Sequence, residues 1–212
     1  MEHDFISLPE VDQQRCLQVV LQCSFKIQNI VNELLLLSEA RKAEAIHLPL
    51  DMASLVAEAQ RRLSRMVEEY HAEMIIPPAS AWPVAMGHAP WIEQVWVNYI
   101  SNALKYGGRP PRVELGADPP SNGMVRFWVR DNGFGFTPEE QAHLFTPFTR
   151  LAQMSIEGHG LGLSIVQRIV DKLGGQVGAE SRVGQGSVFS FTLPAAPPPF
   201  EVPEWVVSTH GQ

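Results

Sequence analysis

From Glu10 to about Ala43 the chain has no Gly or Pro, and Cys16, Val20, Cys23, Ile27, Ile30, Leu34 and Leu37 recur at alternating spacings of four and three. That spacing predicts a long helix with a heptad stripe, and Leu17, Leu21, Val31 and Leu35 widen the stripe beyond a two-strand seam. A helix of this kind cannot stay alone. Residues 1–48 read as part of a dimerising bundle, the alternative being that the helix packs on its own domain. Asp51 then suits the N-cap of a second helix whose face is Leu55, Ala59, Leu63, Met66 and Tyr70, ending before Pro77-Pro78. The stretch from Ile46 to Leu50 reads as a hinge between the helices, with His47 a solvated loop residue, and residues 49–79 as the connection to the C-terminal part of the chain.

Beyond residue 80 the apolar pattern mixes periods of two and 3.6. It predicts a short strand near Trp82 to Met86, a helix from Ala89 to Tyr106, and strands from Arg112 to Ala117 and Met124 to Asp131. A helix starts after Gly160, and two closing strands, Gln176 to Glu180 and Ser187 to Leu193, are joined by the glycine-bearing turn Val183 to Gly186. Residues 80–194 therefore read as one α/β sandwich, a mixed sheet with helices on one face. Residues 195–212 form a Pro-rich, polyproline-like tail in which Trp205, Val206 and Val207 offer a docking element.

Composition narrows the function without naming it. The 212 residues are 45% hydrophobic and 18% charged, as in an ordinary soluble protein, and the net charge of -7 argues against a general nucleic-acid surface. Cys16 and Cys23 lie about 10 Å apart along the predicted helix at 1.5 Å per residue, too far to bridge within it, and read as core thiols of a reducing compartment. No apolar run reaches about 18 residues and no export signal is present, so the expectation is a cytoplasmic chain that does not itself touch the membrane.

Four motifs in one order carry the chemistry: Asn98-Tyr-Ile-Ser-Asn102-Ala-Leu-Lys105-Tyr106, Asp131-Asn-Gly133-Phe-Gly135, Phe145-Thr-Pro-Phe148-Thr-Arg150 and Gly158-His-Gly160-Leu-Gly162-Leu. On a helix Asn98, Asn102 and Lys105 share one face, beside the apolar face of Ile92, Trp96, Tyr99 and Ala103. Amide oxygens suit Mg²⁺, the ammonium suits phosphate, and the Tyr106 ring suits a base or sugar. Strand alternation puts Asp131 on the apolar side with Val125, Phe127 and Val129. An inward carboxylate needs a cap, a cation or a ligand, and an adenine amine is a donor of the right kind. Gly133 and Gly135 leave room for a flat base. The connector Leu151 to Glu157 reads as a lid, and Gly158, Gly160 and Gly162 lead into a helix start that favours phosphate. That helix buries Leu163, Val166, Ile169, Val170 and Leu173 and closes at Gly174-Gly175.

Together these residues resemble the catalytic ATP-binding domain of the sensor histidine kinases of two-component signalling, within the superfamily that includes gyrase, MutL and a heat-shock chaperone ATPase. The four motifs look like that family's N, G1, F and G2 boxes. The resemblance implies that Asn98 and Asn102, with Lys105, serve Mg²⁺ and the phosphates of ATP, that Tyr106 lies beside the nucleotide, and that Asp131 selects adenine. It implies that Arg150 reaches the γ-phosphate, that Gly158, His159, Gly160, Leu161, Gly162 and Leu163 border the phosphates, and that Ser187 joins a water network around the base. His159 replaces a small hydroxyl residue and reads either as a phosphate contact or as a surface residue of the lid. Where the superfamily's hydrolases carry a glutamate base, this chain has Asn98, an amide that takes no proton at neutral pH, so transfer is favoured over hydrolysis.

By the same resemblance the helices before residue 72 look like part of a dimerisation and phosphoacceptor module, with a homodimer through residues 10–43, an acceptor helix elsewhere in a longer protein, and a response regulator as partner. His3-Asp4 followed by Pro9 only echoes the acceptor pattern. The expected activity is donation of the ATP γ-phosphoryl to a histidine not evident in this chain. The rival readings are a superfamily ATPase, a serine kinase, or a non-catalytic ATP-binding and dimerisation scaffold.

Overall fold

The computed structural model of the chain describes residues 47–146 and 162–197. The heptad helix, Cys16 and Cys23, the lid, the Pro-rich tail beyond Pro197 and the dimer surface expected of residues 10–43 lie outside the described residues.

Helix α1, Met52–Glu69, begins where Asp51 Oδ1 accepts the Ser54 backbone N–H at 3.1 Å, the N-cap expected of that residue. It buries Met52, Val56 and Ala59, with Leu55, Leu63, Met66 and Val67 partly covered. Tyr70 departs from the expected face. The stripe starts one turn earlier, at Met52, and the helix ends at Glu69, so Tyr70 becomes an exposed C-cap.

The expected hinge before this helix is instead a short strand, β1 at Leu48–Leu50, antiparallel to β3 at Ala85–Gly87. The cause is non-local: Leu50 is buried, and its Cδ1 lies 3.0 Å from where a Cβ on Gly87 would sit, so the missing side chain admits it. β3 itself falls later than the expected Trp82 to Met86. Trp82 ends a 3-10 turn, Ala79–Ala81, and its ring packs edge-on against Trp96 at 5.7 Å.

Helix α2, Ala89–Tyr106, has the predicted limits, with Pro90 in its first turn and Gly107 at its C-cap. Its buried stripe, including Trp91, Ile92, Val95, Trp96, Tyr99, Ile100, Ala103 and Leu104, is wider than one helix face needs. The width comes from position, because α2 packs on α1, on the sheet and on α4 (Gly162–Lys172). The short helix α3, Pro138–Gln141, precedes α4 in the chain. Gly174, at a φ of 74°, ends α4 in the left-handed conformation, and the Gly175 N–H donates to the Val170 carbonyl at 2.9 Å.

The main sheet has the order β2-β4-β5-β7-β6, comprising β2 (Glu73–Ile75), β4 (Arg112–Ala117), β5 (Met124–Asp131), β6 (Val177–Ser181) and β7 (Ser187–Pro194). β2 pairs parallel with β4 and the other pairs are antiparallel, which makes the sheet mixed. Val125, Phe127, Val129 and Asp131 face the helices and are buried, as alternation requires. On the opposite face Arg126 bridges Asp118 at 3.1 Å and Glu180 at 2.7 Å, and Arg130 pairs with Glu114 at 3.1 Å. One face is thus solvated and the other carries the helices, the α/β sandwich expected. Among the described residues no helix is long and apolar enough to cross a membrane.

Candidate nucleotide site

The second half of α2 brings Asn98, Asn102, Lys105 and Tyr106 along the rim of the core, each half-buried, while Tyr99 and Ala103 anchor the helix beneath them. Asn98 is already oriented. Its Nδ2 donates to the Gln94 carbonyl of its own helix at 2.9 Å. A Cβ on Gly162 would lie 2.4 Å from Asn98 Oδ1, so the amide oxygen faces the start of α4 across a gap that only glycine leaves open. The first and fourth motifs therefore meet at a helix N-terminus, where free N–H groups and the dipole favour anions.

At the other end of α2 the second motif docks on Tyr106. A Cβ on Gly133 would stand 2.2 Å from the Tyr106 carbonyl oxygen and 2.8 Å from Asp131 Oδ1, which excludes any side chain there. Asp131 is only 6% exposed. Its Oδ1 accepts the Gly133 backbone N–H at 2.8 Å, and it pairs in register with Ser187, which is also buried and inward. Burial pushes the Asp131 carboxyl up to about 6, against the Gly133 amide and the Ser187 amide and hydroxyl, which favour the charged form. No ion pair holds it among the described residues. An inward carboxylate that lacks a cation matches a ligand offering a hydrogen-bond donor, such as a base amine.

Gly135 is the one turn glycine of this motif that needs positive φ, at 77°, and the chain then enters the buried Phe136. Leu163, at the start of α4, is partly buried and packs with Phe145 against a small cluster of Phe136, Leu144 and Ala179. The structure thus brings together Asn98 with Gly162, Tyr106 with Gly133, and Asp131 with Ser187. Arg150, Gly158, His159, Gly160 and Leu161 lie outside the described residues.

Two polar residues were missed by the sequence reading. Asn132 Oδ1 accepts the backbone N–H groups of Gly108 at 2.9 Å and Arg112 at 2.8 Å, and its Nδ2 donates to the Pro110 carbonyl at 3.1 Å. It fastens the turn after Asp131 to the loop that leaves α2. Ser181 Oγ accepts the Phe136 N–H at 3.0 Å and donates to the Gly186 carbonyl at 2.8 Å, tying the same turn to the β6–β7 hairpin. The inward parity of Ser181, two residues after Ala179 on an edge strand, was the available signal. Asn132 had none beyond its place in an Asp-Asn-Gly turn.

Among the described residues no group of three or more His, Cys, Asp or Glu side chains could hold an ion. The half-buried Asn98 and Asn102 offer neutral amide oxygens, which suit Mg²⁺ when phosphate and water complete its shell.

Comparison with known proteins gives the family. Residues 87–197, just over half of the chain, match the family model described as histidine kinase-, DNA gyrase B-, and HSP90-like ATPase. The chain is 31% identical over 179 residues to hybrid signal transduction histidine kinase B of Dictyostelium discoideum, covering 80% of this chain and 9% of that protein. It is 30% identical over 191 residues to the adaptive-response sensory-kinase SasA of Prochlorococcus marinus, covering 88% of this chain and 51% of that one. The crystal structure of full-length ShkA in complex with AMPPNP superimposes with a TM-score of 0.73 at 28% identity, over 87% of this chain and 39% of that chain. The chain spans about half or less of the length of these curated relatives. It belongs to the histidine kinase-, DNA gyrase B-, and HSP90-like ATPase family.

Proposed function

We propose that this chain binds Mg-ATP and donates the γ-phosphoryl group to a histidine, for relay to a response regulator. The observation that carries the reading is the buried Asp131 carboxylate, which accepts the Gly133 N–H and pairs in register with Ser187, with no ion pair among the described residues. The histidine kinase relatives supply the reaction class.

In this reading Asp131 accepts the exocyclic amine of adenine, Ser187 orders water beside it, and Gly133 and Gly135 let the base lie flat against the turn. Asn98 and Asn102 offer amide oxygens to Mg²⁺, while Lys105 and the backbone of Gly158, Gly160, Leu161, Gly162 and Leu163 hold phosphate. Tyr106 lies beside the nucleotide, Arg150 neutralises the γ-phosphate, and His159 borders it. The magnesium ion supplies charge neutralisation for the triphosphate. Asn98 is oriented by its bond to Gln94 and its amide has no basic atom at neutral pH, so it positions and does not activate water. That choice of residue favours transfer to an acceptor.

Incubation with γ-labelled ATP, with and without an acceptor helix from a histidine kinase, tests the proposal. Acid-labile label on the acceptor histidine, absent with Asp131→Asn, is the expected outcome. Steady phosphate release without labelled protein would make the chain an ATPase.

A further inference from the structure

The hydroxyl of Ser181 is committed on every side. Its one proton goes to the Gly186 carbonyl at 2.8 Å, and it accepts the Phe136 N–H at 3.0 Å. Ser187 Oγ lies 3.4 Å away, the cross-strand partner of Ser181 at the last rung of the β6–β7 pair. Ser181 has spent its proton and the one proton of Ser187 is drawn to the Asp131 carboxylate, so Ser181 acts on Ser187 through the hairpin backbone it holds at Gly186 and not through a bond between the two hydroxyls. The backbone is shaped around it: a Cβ on Gly135 would fall 2.5 Å from Ser181 Oγ, and a Cβ on Gly186 would fall 2.0 Å from the Asp131 carbonyl oxygen. The turn after Asp131 and the hairpin before Ser187 therefore close on one hydroxyl.

We infer that Ser181 is a positioning residue of the nucleotide site, fixing the orientation of Ser187 and the spacing between the glycine turn and the hairpin, and so contributing to base discrimination without touching the base. The inference rests on the nucleotide reading above. Ser187 has a single proton, which the adjacent Asp131 carboxylate draws, so its oxygen has only lone pairs to offer a ligand. With the carboxylate this makes an acceptor-only wall, which suits the 6-amino group of adenine and disfavours a 6-oxo purine. Without the Ser181 hydroxyl, the Phe136 N–H and the Gly186 carbonyl lose their partner and the hairpin is free to shift.

The test is calorimetry of the whole chain with non-hydrolysable ATP and GTP analogues, using Ser181→Ala, Ser181→Thr, Ser187→Ala and the Ser181→Ala/Ser187→Ala pair. Ser181→Ala should weaken the ATP analogue roughly ten-fold, the size expected when one part-buried hydrogen-bonding group with two partners is removed, and should lower the preference for adenine over guanine. Ser181→Thr, which keeps the hydroxyl, should stay within about three-fold of the unaltered chain, and should carry the test if the alanine variant does not fold. In the Ser187→Ala background the further loss on removing Ser181 should fall below about three-fold, the signature of two residues acting as a unit. Unchanged affinity in Ser181→Ala, additive losses in the pair, or an adenine preference left intact would overturn the inference while the nucleotide reading stands. Failure of the unaltered chain to bind either analogue would overturn both.

Discussion

The Gly133 amide donates to Asp131 Oδ1 at 2.8 Å, and the same glycine lies so close to Tyr106 that any Cβ would stand 2.2 Å from its carbonyl oxygen. One residue thus joins the buried acid to the end of the helix bearing Asn98, Asn102 and Lys105. Gly133→Ala is expected to displace the turn, at a cost of about 1–3 kcal/mol from overpacking, and to abolish nucleotide binding. Gly123→Ala is the control: it has a positive φ of 74° but nothing lies within 4 Å of its Cβ, so it should strain the backbone and leave binding alone. Chemical denaturation paired with analogue titration separates the two effects.

The raised pKa of Asp131 has two opposite consequences. Burial lifts it from 3.8 to about 6, so the folded chain holds a proton that the unfolded chain has released. The stability this confers is fully present below about pH 4 and is lost as pH rises through about 6. Asp131→Asn should flatten that slope and leave the protein more stable at pH 7, by roughly 3 kcal/mol from the pKa linkage. Nucleotide affinity should run the other way, rising through about pH 6 as the carboxylate forms. Melting curves and calorimetry across that range measure both.

Much of this site could be read from the chain because its signals are local. The alternation of Val125, Phe127 and Val129 sets the inward direction of Asp131, and the run from Ala89 to Gly107 contains its own start and stop. β1 could not be read in that way. A three-residue strand has no periodicity, and its partner Ala85–Gly87 lies far along the chain. Asn132 was hidden for the same reason, and the parity of Ser181 showed only its direction, since the roles of both exist only when the hairpin and the loop after α2 come to the Asp131 turn. The Tyr70 position failed because one turn's difference in where a stripe begins moves its end off the helix.

Asn132→Ala removes an acceptor shared by two backbone N–H groups and a donor to Pro110. The side chain is exposed, so water can replace part of what is lost, and the expected destabilisation is about 1–2 kcal/mol. A urea titration should show a lower midpoint with the same slope.

Gly162→Ala should fold but misplace Asn98, whose Oδ1 would be 2.4 Å from the new Cβ while its Nδ2 remains tied to Gln94. The expected phenotype is retained binding of adenosine with loss of the magnesium-dependent gain for the triphosphate. Parallel titrations with adenosine and with the ATP analogue, each with and without Mg²⁺, check it.

Asp131 and the helix start at Gly162 are the two ends of one proposed Mg-ATP pocket. Isothermal titration of the chain with a non-hydrolysable ATP analogue tests that pocket most directly, with Mg²⁺ present or chelated and with Asp131→Asn alongside. Saturable one-site binding that weakens when Mg²⁺ is removed and disappears in Asp131→Asn is the expected result. Binding of equal strength in Asp131→Asn, or no binding by the unaltered chain, would contradict it.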